Sequence, residues 1–189
     1  MKTLLRVLAG IAALVALLLL VASFRPSDYI VSRAITIAAP ASAVWPWVSQ
    51  VKKAQEWSPW MDEEPNASVT YSGVDGTVGA RSTWDGKKVG AGDQHIALLD
   101  VHKRVEIDLH FIKPFEDNAK ASYMLAADGA GTRVTWTMAG HNNLIGKVMC
   151  MFMSMDKMLG TPFETGLSRL KTKVESAPAV PAALPAAAP

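Results

Sequence analysis

The chain has a single cysteine, Cys150, so no disulfide can form within it even in an oxidising compartment. No cysteine lies near the end of its N-terminal apolar run, which closes the bacterial lipoprotein route. Neither sign of charge is in excess. With Lys2 and Arg6 set aside, the 19 basic residues fall to 17, matched by 17 acidic ones. A neutral domain lacks the field that phosphate backbones reward, so nucleic acid is not an expected partner. Metal-ligand spacing is also missing. His95, His102, His110 and His141 are scattered along the chain, and a zinc site needs several converging ligands. Gly86, Gly90 and Gly92 precede no helix and make no phosphate loop. No internal repeat is present. Neither a metal nor a cofactor is expected.

What is present begins with residues 7–22, which carry no polar side chain and follow Lys2 and Arg6. Extended to Phe24, this stretch makes a helix about 27 Å long, enough to cross the hydrocarbon of a bilayer. The preceding positive charges predict a cytoplasmic amino end and an exported remainder. Its length favours an uncleaved anchor over a cleaved signal peptide, for which Val21-Ala22-Ser23 offers suitably small residues. At the other end, residues 176–189 are rich in alanine and proline with no charge, and read as a disordered tail. The expected organisation is a membrane segment over 1–28, one domain over 29–175 and the tail.

Within the domain, β-branched residues over 30–37 predict a first strand, and Ala38 to Ser42 stop it. Val44, Trp45 and Val48 recur at helical spacing, with Pro46 confining the helix to a short piece, and a second short helix covers 51–57. Residues 57–65 read as a loop, in which Asp62-Glu63-Glu64 is a solvated run, although calcium also favours clustered oxygens. Six more strands are expected near 67–72, 79–85, 88–100, 103–112, 118–127 and 131–140. Short turns between them imply antiparallel pairing. The predicted class is α+β: a seven-stranded curved antiparallel sheet, two short helices after the first strand, and a long C-terminal helix that the sheet wraps around.

Strand parity sorts the side chains. One face collects Val105, Ile107, Leu109 and Phe111, then Ala121, Tyr123 and Leu125, then Val134, Trp136 and Met138, and Ala80, Ser82 and Trp84. Glu106, Asp108 and His110 face the other way. Only the Tyr123 phenol and the Ser82 hydroxyl are polar on the inner surface, which opposes acid–base catalysis from the sheet. The last helix, over about 143–175, is rich in methionine. Leu144, Val148, Phe152, Met155, Leu159, Phe163, Leu170 and Val174 form one stripe, with Asp156 beside it. Thr161-Pro162-Phe163-Glu164 carries a capping-box signature, so a kink or restart is expected there. Cys150, Met151 and Met158 lie off the stripe, free to touch other segments, a bilayer surface or a second copy.

The order of several short motifs resembles the SRPBCC superfamily, and within it the polyketide cyclase/dehydrase-like, START-related proteins. These are Ile35-Thr36-Ile37-Ala38-Ala39-Pro40 with Val44-Trp45, Trp57-Ser58-Pro59-Trp60, Val78-Gly79-Ala80 and Lys113-Pro114-Phe115. Gly131 to Trp136 and Phe163 to Lys171 complete the series over residues 29–175. The resemblance implies a helix-grip fold with a hydrophobic cavity between the long helix and the sheet. It also implies a bacterial source, hence a single-pass inner-membrane protein with a periplasmic domain. Cyclisation chemistry does not carry over, because no catalytic residues match.

The candidate lining of that cavity is Trp84, Leu109, Phe111, Tyr123, Trp136 and Met138 from the sheet, with Phe152, Met155 and Asp156 from the helix. Apolar stripes also simply pack cores, and Asp156 equally suits a pair with a basic residue. Trp57 and Trp60 either gate the mouth or fold back on the core. The leading expectation is membrane-anchored binding of a small apolar or amphipathic ligand, a lipid or an aromatic metabolite. The alternatives are a cyclase or dehydratase using Asp156 or Tyr123, and a module without a cavity that docks a partner through the outside of the last helix.

Overall fold

A computed structural model of the chain describes residues 2–177. Most of the tail expected over 176–189 lies outside them. Helix α1 (Lys2–Ser23) comes first, then strand β1 (Asp28–Ile37) and the short helices α2 (Ala41–Ser49) and α3 (Val51–Gln55). A 3-10 turn at Pro59–Asp62 leads into β2 (Ser68–Ser72), β3 (Arg81–Asp85), β4 (Ala91–Asp100), β5 (Arg104–Lys113), β6 (Asp117–Asp128) and β7 (Gly131–His141). Two helices follow, α4 (Leu144–Phe152) and α5 (Met155–Ser176).

All seven strands form one antiparallel sheet in the order β1-β7-β6-β5-β4-β3-β2. After β1 the chain crosses through α2 and α3 to the far edge and returns by successive hairpins, as short turns require. The expected parity holds: Val105, Ile107 and Leu109 are buried, and Glu106, Asp108 and His110 are not. Pairing registers align Ile107, Ala121, Met138 and Val31 across four strands on the inner face. Two register shifts between β4 and β5, at Ala91/Gly92 and Ile96/Leu98, are the kind of bulge that bends a sheet.

Helix α5 runs beside the edge strand β1. Its buried residues Phe163, Leu167, Leu170 and Val174 face the core, and polar ties fix its whole length. The Arg33 guanidinium donates to Asp156 and Glu164, the Lys171 ammonium to the Thr36 carbonyl at 2.7 Å, and the Ala38 amide to Glu175 at 2.7 Å.

The C-terminal helical region departs from expectation. No break occurs at Pro162, which lies inside α5. The chain breaks instead at Met153, where extended backbone separates α4 from α5. Ser154 caps the new helix by accepting from the Lys157 amide at 3.3 Å, with Asp156 in the first turn. The break resets the helical phase, so the single stripe from Leu144 to Val174 does not exist. Phe152 is 78% exposed, and only the portion from Met155 onward packs on the core.

Candidate functional site

Because α5 follows β1 rather than the middle of the sheet, the inner face of the central strands is left for other segments to cover. A cavity of about 350 Å³ opens there. Its floor is Ile107, Leu109, Ala121, Tyr123, Trp136 and Met138, alternate residues of three adjacent strands. Ala54, Gln55, Trp57, Ser58 and Trp60, from α3, the 3-10 turn and the link between them, also line it, and α5 contributes only Leu159.

One wall is a rigid aromatic cluster. Trp57 meets Tyr123 and Trp136 edge-on, at centroid separations of 5.6 and 5.4 Å, and Trp136 stacks on Phe163. Trp57 is 1% exposed, and its indole N–H donates to the Trp47 carbonyl at 2.9 Å. It has folded back on the core, while Trp60 packs beside it half-buried. Gly166 lets α5 approach this cluster, since a Cβ there would lie 2.9 Å from the Trp136 ring and 3.4 Å from the Trp57 ring. The other wall is Trp84 set edge-on to Phe111, centroids 5.9 Å apart, with Gly92 leaving the space that the Trp84 ring fills.

Polar groups are few. Inside, the Gln94 amide donates to the buried Ser82 hydroxyl at 3.1 Å. Burial pushes the Tyr123 phenol well above its ordinary range, so it stays protonated at neutral pH. At the mouth stand Glu63, Lys88 and Val89. Beside them the Glu64 carboxylate accepts from the amides of Lys88, Lys87 and Val89, at 2.7, 3.1 and 3.3 Å. Those backbone bonds hold its pKa below the usual carboxylate value. Glu64 thus fastens the loop after the 3-10 turn to the β3–β4 hairpin, and Asp62 pairs with Arg169 of α5. Two of the three acids in that run are clasps, and Glu63 between them stands exposed at the mouth.

Six of the residues singled out from the sequence therefore line one cavity: Trp84, Leu109, Phe111, Tyr123, Trp136 and Met138. Three do not. Phe152 lies on the outside of α4, and Met155 packs against the core without reaching the cavity. Asp156 points to solvent and Arg33, whose hydrogen bonds lower its pKa. The reason is the reset of phase at Met153, which keeps the methionine-rich stretch out of the cavity. The methionines do not roof the cavity. Sequence reasoning missed Gln94, although it shares its strand face with the buried Ile96 and its polarity on that face was legible. The histidines are not scattered in space. His95, His110 and His141 share the outer face of the sheet with Asp93, Asp108 and Asp28. Among the described residues, no group of three His, Cys, Asp or Glu side chains is arranged to hold a metal ion.

The fold recurs among solved structures. Protein MLL2253 of Mesorhizobium loti is 14% identical, with a TM-score of 0.58 over 80% of this chain and 100% of its own. Protein TTHA0849 of Thermus thermophilus is 18% identical, with a TM-score of 0.57 over the same shares of the two chains. A solution structure from Thermobifida fusca is 20% identical, with a TM-score of 0.56 over 77% of this chain and 92% of that one. At such identities the likeness carries the fold alone. No functionally curated protein matches the sequence. The family model described as "Polyketide cyclase / dehydrase and lipid transport" matches residues 29–175, the whole of the sheet together with α2 to α5 save the first residue of β1 and the last of α5. A seven-stranded curved sheet, a long C-terminal helix and that match make one statement: the chain belongs to the polyketide cyclase/dehydrase and lipid transport family, with the helix-grip fold of the SRPBCC proteins.

Proposed function

We propose that this protein shelters a small apolar or amphipathic molecule in the cavity over β3 to β7, and that α1 holds it at a membrane. Family membership supports a ligand-binding or cyclase-type role, and the character of the cavity favours the former. The carrying observation is a space of about 350 Å³, walled mainly by aromatic and aliphatic side chains, with the hydrogen-bonded pair Ser82 and Gln94 inside. That volume is at the lower end for ligand pockets, which combine an apolar lining with a few placed polar groups. Each 100 Å² of ligand apolar surface withdrawn from water is worth roughly 2.5 kcal/mol before the cost of association.

Base catalysis fits the same space poorly. Asp156 is outside it and paired with Arg33, and the buried Tyr123 phenol keeps its proton. None of the six floor residues carries a carboxylate or an imidazole. Helix α1 is long and apolar enough to cross a membrane, as anchors and signal sequences both are. As an uncleaved anchor behind Lys2 and Arg6, it would place the domain on the periplasmic side of a bacterial inner membrane.

Native mass spectrometry of membrane-extracted protein, with thermal shift against a panel of lipids and aromatic metabolites, tests this reading. Expected are adducts of small apolar mass and a raised Tm. Protein that is empty in every preparation and shifted by none of the panel overturns it.

A further inference from the structure

Strand register defines two ends of the sheet. Asp28 pairs with His141, Ala119 with Gly140, Phe111 with Asp117, Gly92 with Phe111, and Asp85 with Ser68. All of these lie at the end where α1 leaves the domain. The β3–β4 hairpin that carries the cavity lip residues Lys88 and Val89 is at this end, and so are the β5–β6 loop with Phe115 and the helix α4.

One part of this end is apolar. Leu144, Ile145, Met149 and Phe152 of α4, with Met153, are all exposed, and so is Phe24 at the end of α1. A patch of this kind marks a surface that meets something apolar. The chain itself indicates what. Helix α1 packs on α4, and Ala22 is fully covered. Only Phe24 to Ser27 separate α1 from β1, a reach of about 15 Å at most. The Asn142 amide, just before α4, donates to the Ser27 carbonyl at 2.7 Å and shortens that tether further. A domain held this closely to a bilayer-crossing helix cannot stand clear of the head groups. Arg25 and Lys147 make no ion pair among the described residues and suit lipid phosphates.

We infer that α4 lies in the head-group layer of the membrane that α1 crosses, its exposed apolar face against lipid, so that the cavity lip faces the bilayer surface. This rests on the anchoring reading above and extends it: ligand passes between cavity and lipid without crossing open water. Methionine suits such a face, because its unbranched thioether adapts to fluid acyl chains.

The test uses the full chain in nanodiscs of phosphatidylcholine and phosphatidylglycerol, with Cys150→Ser as background. A nitroxide is attached at Phe152→Cys, or at Val101→Cys in the β4–β5 turn of the opposite end. Expected is a loss of collisions with a water-soluble nickel chelate at 152 relative to 101, with collisions with oxygen raised. Equal nickel accessibility at the two sites, in chain that resists alkaline carbonate extraction, overturns this inference while leaving the anchor intact. Release of the chain by carbonate overturns the anchor and this inference together. Spin–spin broadening at 152 that disappears on dilution with unlabelled chain shows a second copy on the patch, and also overturns it.

Discussion

The Trp136 indole and the Phe163 ring stack face to face, with centroids 3.9 Å apart and planes 8° from parallel. One belongs to the sheet and the other to α5, so this contact joins the two layers and divides the interior. On the α5 side the space is filled; on the other it is hollow.

Phe163 is fully buried, and Phe163→Ala should leave a void that its rigid neighbours cannot close. The expected loss of stability is about 3–5 kcal/mol, measured by denaturant unfolding. A loss below about 1 kcal/mol would mean that the stack does not hold α5 in place.

Filling the cavity should separate binding from folding. Ala121 is on the cavity floor between Ile107 and Met138. Ala121→Leu adds side-chain volume into open space, so Tm should hold while affinity for an apolar fluorescent probe falls at least about tenfold, or 1.4 kcal/mol. Unchanged affinity would place the binding site elsewhere.

Gly160 leaves the space that the Arg33 guanidinium occupies, and a Cβ there would overlap it. Gly160→Ala gains up to about 1 kcal/mol of helix propensity but displaces Arg33 from Asp156 and Glu164. In Arg33→Ala protein only the gain remains. The same substitution should therefore stabilise the Arg33→Ala chain by about 1 kcal/mol and the parent by less. Equal effects in the two backgrounds would show that the overlap is not felt.

Pro162 tests the continuity of α5. In a helix interior, proline removes one hydrogen bond and crowds the preceding turn, so Pro162→Ala should raise stability, by up to about 3 kcal/mol. If the helix instead restarted at Thr161, proline would occupy a favoured first-turn position and its replacement would bring no gain.

Glu64 carries a pH signature. Its native pKa lies below the ordinary value because three amides donate to the carboxylate, so the unfolded chain binds more protons as pH falls. Its contribution is present above the unfolded pKa of about 4.3 and is lost as pH falls through the native one. Asp62, Asp156 and Glu175 act in the same direction. Glu64→Gln should therefore flatten, without abolishing, the fall of Tm below about pH 5. Parallel Tm curves for the two proteins would show that the clasp does not titrate with folding.

Much of this architecture is written in residues close together along the chain. Alternation in Val105-Glu106-Ile107-Asp108-Leu109 assigns faces without any partner strand, since successive side chains must point to opposite sides. Short turns require antiparallel neighbours, and an unbroken apolar run reads as a helix long enough to cross a membrane. Parity alone puts six of the cavity residues on one face, because a strand has only two faces to choose from; that the face borders a hollow does not follow from it.

Position was decided at long range. A helical stripe extends only as far as the helix is continuous, and extended backbone at Met153 interrupts it. Whether α5 would lie over the centre of the sheet or along its edge depended on contacts such as Arg33 with Asp156, 123 residues apart, and Trp136 with Phe163. Those contacts place α5 against β1 and leave the central strands to be roofed by Trp57 and Trp60, while Met149 and Met153 stay exposed. Local sequence specifies which side chains share a face; only the packing of distant elements determines which part of that face is filled and which is left open.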